Sequence, residues 1–213
     1  MSRLRVTEIF RSLQGESRSV GWPTVFVRLT GCPLRCGYCD TAYAFKGGEW
    51  MEPDDIRQRV ADLGCRHVTV TGGEPLAQKE VLPLLGSLCD AGHETSIETG
   101  GSLDIAGIDP RVSIVMDIKT PGSGEVRKNR WENLSLLSEK DQIKLVIAHR
   151  QDYEWARTQL DEHRLTEITE VLFSPVQGQL DPADLADWIL EDQLPVRFQL
   201  QLHKILWGEE PGR

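Results

Sequence analysis

Cys32, Cys36 and Cys39 stand within eight residues, at C-x3-C-x2-C spacing. Thiolates are soft ligands, so iron–sulfur and zinc are the candidate metals. A structural zinc site closes with four protein ligands. Here Asp40 and Thr41 follow, and the loop holds no fourth cysteine or histidine. Three thiolates suffice for three irons of a cubic four-iron cluster, which leaves one iron open for chemistry. The alternative is a zinc ion completed from a distance by His67, His93 or Cys65. Cys65 and Cys89 have no partners at ligand spacing and read as inert buried thiols.

A second grouping is Thr71-Gly72-Gly73-Glu74-Pro75. Paired glycines at the end of a strand admit close backbone approach, because no Cβ intervenes. The plain alternative is a tight turn before a helix.

The elements that must position these groups alternate between β-rich and helical runs, the pattern of βα units around a parallel sheet. Strands are predicted at Val25–Thr30, His67–Thr71, Glu94–Glu98, Ser113–Ile118, Gln142–Ile147, Glu170–Phe173 and Arg197–Leu202. Helices are predicted at Pro53–Leu63, about Gln78–Ala91, Trp131–Leu137, Asp152–Leu160 and Pro182–Leu190. The first of these has Asp54 and Asp55 in its first turn and Gly64 as its stop signal. Six or seven parallel strands fall short of eight full βα units, and a complete barrel averages about 250 residues. The expected fold is therefore a single α/β domain over residues 1–213, an incomplete TIM-like barrel with reduced helices. The first twenty residues and the last ten lie outside the βα rhythm and are expected to cover the open edge or a cleft. Residues 31–41 form the cysteine loop, at the end of a barrel strand where active sites gather.

Composition narrows the function classes. At 213 residues the chain can bury a sizeable core without disulfides. An odd count of five cysteines and a start, MSRLRVTEIF, without an apolar signal segment predict a reducing cytoplasm. No apolar run approaches membrane-spanning length. A net charge of −9, from 33 acidic and 24 basic residues, argues against a nucleic-acid partner. The short run Arg127-Lys128-Asn129-Arg130 reads as a solvated loop. A small-molecule substrate is expected.

The cysteine loop followed by the Gly-Gly-Glu-Pro segment resembles the radical S-adenosylmethionine (SAM) enzymes. The resemblance implies a [4Fe-4S] cluster whose open iron chelates the amine and carboxylate of SAM. One-electron reduction then yields a 5′-deoxyadenosyl radical. Within that superfamily the chain is similar to the 7-carboxy-7-deazaguanine synthases of the queuosine and 7-deazapurine pathway. The similarity runs in order through Glu8-Ile9-Phe10-Arg11-Ser12-Leu13-Gln14-Gly15-Glu16, Val25 to Cys32, Cys39-Asp40-Thr41, Ile97 to Gly101, Asp117-Ile118-Lys119 and Gln201-Leu202-His203-Lys204. Two departures are visible. Ser17 stands where many members carry glycine, and Asp117-Ile118-Lys119 replaces the Ser-Pro-Lys of some.

The resemblance implies a site residue by residue. Cys32, Cys36 and Cys39 would ligate the cluster, and Thr41 would offer its hydroxyl oxygen to Mg²⁺, a hard ion. Locally, the same hydroxyl could instead form a turn or cap with Asp40. Tyr38, Cys39, Asp40, Gly73, Glu98, Asp117, Ile118 and Lys119 would contact SAM. Leu13, Gln14, Gly15, Arg28, Thr71 and His203 would contact a pterin. Arg28 has physical grounds of its own: Val25, Val27 and Leu29 share one strand face, which turns Arg28 with Phe26 and Thr30 to the other. A buried guanidinium needs an anion, and its planar fork suits a carboxylate. That anion is a substrate carboxylate or, alternatively, Asp40, Glu74 or Glu98.

The expected reaction is the conversion of 6-carboxy-5,6,7,8-tetrahydropterin to 7-carboxy-7-deazaguanine with release of ammonia. It would need an external one-electron donor such as flavodoxin, and a homodimer is expected by family analogy. The alternatives are a radical activase that makes a glycyl radical on a partner protein, and a non-catalytic zinc-binding interaction domain.

Overall fold

A computed structural model describes residues 3–208 together with Glu210 and Gly212. Nine strands form one sheet: β1 (Leu4–Leu13), β2 (Pro23–Leu29), β3 (Glu49–Met51), β4 (His67–Gly72), β5 (Glu94–Thr99), β6 (Ser113–Asp117), β7 (Gln142–Ile147), β8 (Glu170–Pro175) and β9 (Arg197–Phe198). Their spatial order is β3-β1-β2-β4-β5-β6-β7-β8-β9. From β2 onward every neighbouring pair is parallel, whereas β1 pairs antiparallel with both β2 and β3. Seven parallel strands thus end at one rim, the arrangement expected of an incomplete barrel. Helices α1 (Pro53–Leu63), α2 (Val81–Asp90), α3 (Arg150–Glu162), α4 (Leu165–Ile168) and α5 (Pro182–Glu191) connect them, and α6 (Leu202–Trp207) follows β9.

Strand alternation decides which face of the sheet does what. Val25, Val27, Leu29, Val68, Val70, Ile97, Ile143 and Leu145 belong to the apolar core. Phe26, Arg28, Thr71, Glu98, Asp117 and Lys144, which alternate with core positions, line a cavity on the other face. Parallel sheets covered by helices on both faces carry near-continuous apolar strands. This one is apolar on a single face because the other lines the cavity. The α1 boundaries follow their predicted signals: Pro53 opens the helix, and Gly64 closes it in the left-handed region at φ 65°, donating to Val60 and Ala61 carbonyls.

Four segments depart from expectation. The first twenty residues are not merely a cover, since Leu4 and Val6 enter the core and β1 becomes part of the sheet. The helix predicted from Gln78 begins at Val81, after a 3-10 turn at Pro75–Ala77. Gln78 is instead extended, and its amide bonds the backbone of Arg5 and Thr30, tying β1 to the root of the cysteine loop. Trp131–Leu136 is 3-10 rather than α-helical. The last predicted strand, Arg197–Leu202, shrinks to two residues and hands over to α6.

The open side of the barrel is bridged below. After β1 the chain crosses the floor, where the Ser17 N–H donates to Gln199 Oε1 at 2.6 Å and Gln199 Nε2 returns to the Ser17 carbonyl at 2.9 Å. The neighbouring Arg18 N–H donates to Gln142 Oε1 at 2.7 Å. Ser17 holds φ 66°, a conformation that glycine adopts without strain and other residues seldom do. Removing the Gln199 amide leaves a buried donor and acceptor unpaired, and each such loss costs about 1–3 kcal/mol. Gln199→Ala is therefore expected to lower unfolding free energy by at least about 2 kcal/mol in urea titrations; an unchanged midpoint would show that the bridge contributes nothing.

Candidate active site

The cavity at the rim has a volume of about 260 Å³. All three cysteine thiols line it, half-buried and free of disulfides. The loop that carries them follows β2 directly. It is pinned by the Gly31 N–H on the Ala44 carbonyl at 2.8 Å and the Gly37 N–H on the Ser123 carbonyl at 2.9 Å. Among the described residues no group of three or more His, Cys, Asp or Glu converges as one metal ion requires. A cluster that takes one thiolate per iron asks for no such convergence. The distant zinc ligands are badly placed: His67 opens β4 at the opposite end from Gly72, where its Nδ1 lies 3.1 Å from Glu94, and His93 sits with the Cys65 carbonyl beside it. The donor set thus fits an iron–sulfur cluster with one iron left to an outside ligand. Burial pushes the Cys32 and Cys36 thiols up, with Lys119 acting against it on both.

Gly72 and Gly73 serve a purpose that spacing alone did not reveal. A Cβ on Gly73 would overlap the Gly31 carbonyl, and one on Gly72 would press on the Leu29 carbonyl. The Glu74 N–H donates to Gly31 O at 2.7 Å. The two glycines therefore clear space for the cysteine loop itself, while Gly73 also borders the cavity. Glu74, which sequence reasoning had left as a possible Arg28 partner, is fully buried and organises the next loop. It accepts from Gly100 N at 2.7 Å, Thr99 Oγ1 at 2.9 Å and Leu76 N at 3.0 Å.

Charged side chains form a layer across the cavity. Lys144 bonds Glu16 at 2.6 Å and lies 3.4 Å from Asp117, which also pairs with Lys119. Burial pushes the Asp117 carboxyl up, but Lys119 and Lys144 together outweigh it and hold it below the usual range. Burial likewise drives Glu98 upward, opposed by Lys144. Glu98 accepts from Thr71 Oγ1 at 3.0 Å and Gln14 Nε2 at 3.2 Å. Burial raises Tyr38 to about 12.

Arg28 faces the cavity as its strand position requires. Its partner is none of the three carboxylates weighed from sequence: Nε donates to Glu8 Oε1 at 2.7 Å, and the Tyr43 hydroxyl meets the same oxygen at 2.7 Å. Leu13, Gln14, Gly15, Thr71 and His203 line the same cavity, as do Tyr38, Asp40, Thr41, Glu98, Asp117 and Lys119. Ile118 is the exception. Its side chain packs into the core and its N–H is spent on the Lys144 carbonyl at 2.9 Å, so no side-chain contact with a cofactor follows. Thr41 donates to Asp40 Oδ1 at 2.8 Å, the local pairing considered from sequence. Its oxygen lone pairs stay available for a hard cation.

The end of the chain comes back over the site. His203 packs on Gly15, where any Cβ would overlap its ring, and Lys204 bonds Asp40 at 2.7 Å. Burial opposes the Asp40 charge, yet Lys204 and Thr41 hold its carboxyl far below the ordinary range. Burial keeps His203 below its usual value. Sequence reading gave no site role to Glu8, Glu16 or Lys144 and offered Glu74 only as a possible Arg28 partner; the part each plays depends on partners distant in the chain.

Residues 26–118 match the Radical SAM superfamily, so fold and cysteine loop define the class. The chain is 45% identical over 210 residues to a 7-carboxy-7-deazaguanine synthase of Chlorobaculum tepidum, covering 97% of this chain and 96% of the relative. It is 39% identical to one from Methanospirillum hungatei, with 96% and 86% covered. A crystal structure of QueE from Escherichia coli shares the fold at a TM-score of 0.78 and 24% identity, covering 95% and 96% of the two chains. The chain belongs to the 7-carboxy-7-deazaguanine synthase family. That membership sets aside the glycyl-radical activase and the zinc-binding interaction domain.

Because Gly73 abuts the cysteine loop, Gly73→Ala is expected to displace that loop. Iron and sulfide bound after anaerobic reconstitution should fall to less than half of the wild-type content at equal folded protein by far-UV circular dichroism. Full cluster loading in the variant would show that the contact does not position the cysteines.

Proposed function

We propose that the protein converts 6-carboxy-5,6,7,8-tetrahydropterin to 7-carboxy-7-deazaguanine with release of ammonia, using a [4Fe-4S] cluster, SAM and Mg²⁺. The observation that carries this reading is the meeting of the three free thiols with a buried layer of charge in one cavity. When bound, cluster and cofactor supply a carbon-centred radical by one-electron reduction of a sulfonium.

The chain's own residues bind, orient and exclude water. Cys32, Cys36 and Cys39 hold the cluster. Gly73, Tyr38, Cys39, Asp40, Glu98, Asp117 and Lys119 border the space for SAM, where the low pKa of Asp117 keeps it ionised beside two ammonium groups. Gln14 presents an amide, Thr71 a hydroxyl and Arg28 a guanidinium to the pterin, with Leu13, Gly15 and the His203 ring that packs on it lining the same cavity. Arg28 can exchange or share its Glu8 partner for the substrate carboxylate, since its fork carries five donors. Thr41 would place Mg²⁺ next to that carboxylate. A cytoplasmic setting, a homodimer and an external low-potential electron donor such as flavodoxin belong to the same proposal. Among the described residues no helix is long and apolar enough to cross a membrane.

Anaerobic turnover of the reconstituted protein with the carboxypterin, SAM, Mg²⁺ and dithionite tests the reading. Ring-contracted product is expected by mass spectrometry, and an intact reduced cluster without product would contradict it. Arg28→Ala should raise the KM for the carboxypterin about tenfold or more, since a desolvated charge contact is worth at least 1.4 kcal/mol. Slow SAM cleavage without substrate should persist; equal loss of both would reassign Arg28 to holding Glu8.

A further inference from the structure

A slip in register between β1 and β2 decides where Glu8 points. Val6 pairs with Leu29 but Glu8 pairs with Arg28, so β1 carries an extra residue, Thr7, at this point. Without that bulge Glu8 would share a face with Leu4 and Val6 and enter the apolar core. With it, Glu8 comes opposite Arg28, and Phe10 lines the cavity, stacked on Phe26 at 5.1 Å. The Thr7 hydroxyl pairs beside the bulge with Thr30 Oγ1 at 2.8 Å. Bulges interrupt a ladder and re-aim a side chain, and they gather next to active sites. Here the backbone itself delivers a carboxylate to Arg28.

Three neighbours constrain the guanidinium. Its Nε donates to Glu8 Oε1 at 2.7 Å, and its central carbon lies 5.7 Å from the Phe10 ring centre and 5.9 Å from that of Tyr43. The Tyr43 hydroxyl donates to the same Glu8 oxygen at 2.7 Å. Burial pushes that hydroxyl up to about 12 against the pull of Arg28, and Glu8 adds to the rise, so it stays a donor. Tyr43 is anchored by the next residue, Ala44, which is fully buried and accepts from the Gly31 N–H. Among the described residues neither terminal nitrogen of Arg28 has a hydrogen-bond partner. Glu98 is engaged with Gln14 and Thr71, and Asp40 with Lys204 and Thr41. A guanidinium held at Nε keeps its two-nitrogen end free, and that edge grips a carboxylate through two parallel bonds.

We propose that Glu8 and Tyr43 are positioning residues that hold Arg28 by its Nε and aim its terminal nitrogens at the carboxylate of the substrate. This deepens, and rests on, the reading of Arg28 as a substrate contact. Arg28 then shares Glu8 with the substrate and does not exchange it. The alternative differs in sign. If Glu8 were only a competitor for Arg28, removing it would tighten the binding of a carboxylate. As a guide, its removal lets the guanidinium swing away and loosens that binding.

Anaerobic calorimetry of the reconstituted holoenzyme with SAM and Mg²⁺, without reductant, compares 6-carboxy- with 6-methyl-5,6,7,8-tetrahydropterin. Wild type is expected to bind the carboxylated pterin about tenfold or more tightly than the methyl one. That ratio should fall about tenfold in Glu8→Ala and about threefold in Tyr43→Phe. Glu8→Gln should restore it, because its amide oxygen still accepts from Arg28 Nε. A merely structural role would weaken both pterins alike and leave the ratio unmoved. A ratio unchanged or raised in Glu8→Ala therefore overturns the proposal, as does one lost equally in Glu8→Gln. Should Glu8→Ala fail to fold, the half-exposed Tyr43 decides: an unchanged ratio in Tyr43→Phe overturns the proposal. A wild type without preference removes Arg28 as the carboxylate contact, and the proposal with it. Carboxypterin turnover judges the reaction itself separately.

Discussion

The backbone of Gly73 lies so close to the Gly31 carbonyl that a single methyl group would not fit between them. This contact joins the cysteine loop after β2 to the glycine turn after β4, and the remainder of the site is arranged around the junction. The Glu74 N–H locks it at 2.7 Å, and the Glu74 carboxylate then gathers Thr99 and Gly100 from the end of β5. Three consecutive parallel strands thus present their terminal loops as one unit. Adjacent strands in register make this possible: Arg28 sits opposite Thr71, and Leu29 opposite Gly72.

Buried charge is the second organising feature. Glu16, Lys144, Asp117 and Lys119 alternate in sign across the cavity, so each ion is held by a neighbour of opposite charge. Such ions are costly to bury and contribute little net stability. They lie on the face without helices, where they line the cavity and hold its polar groups in place. The segment that supplies Glu16 also bridges the open barrel through Ser17 and Gln199, which makes the floor both a closure and part of the cavity lining.

Much of this arrangement was legible in the chain. Cysteine spacing marked the loop whose three free thiols line the cavity, and two-residue alternation turned Arg28 inward. Pro53, the two following aspartates and Gly64 marked α1 at both ends. What escaped notice depends on contacts between residues far apart in sequence. β1 carries Arg5, Glu8 and Arg11 among its apolar residues, so its pattern reads as a polar leader until β2 and β3 pair with it. Glu8 meets Arg28 only through that antiparallel register, and Glu16 meets Lys144 across the barrel. The stretch Arg197–Leu202 has strand-like composition, but Leu202 N–H is drawn to the Gly15 carbonyl at 2.9 Å, which starts α6 and brings His203 over the floor.

The central claim is that the chain supplies three ligands to the cluster and leaves its fourth iron to SAM. Electron–nuclear double resonance of the reduced cluster with SAM labelled by ¹⁵N at the methionine amine tests this most directly. The account predicts a strong ¹⁵N hyperfine coupling that arises from a direct iron–nitrogen bond. Saturating SAM that produces no such coupling, with the cluster reduced and intact, would contradict it.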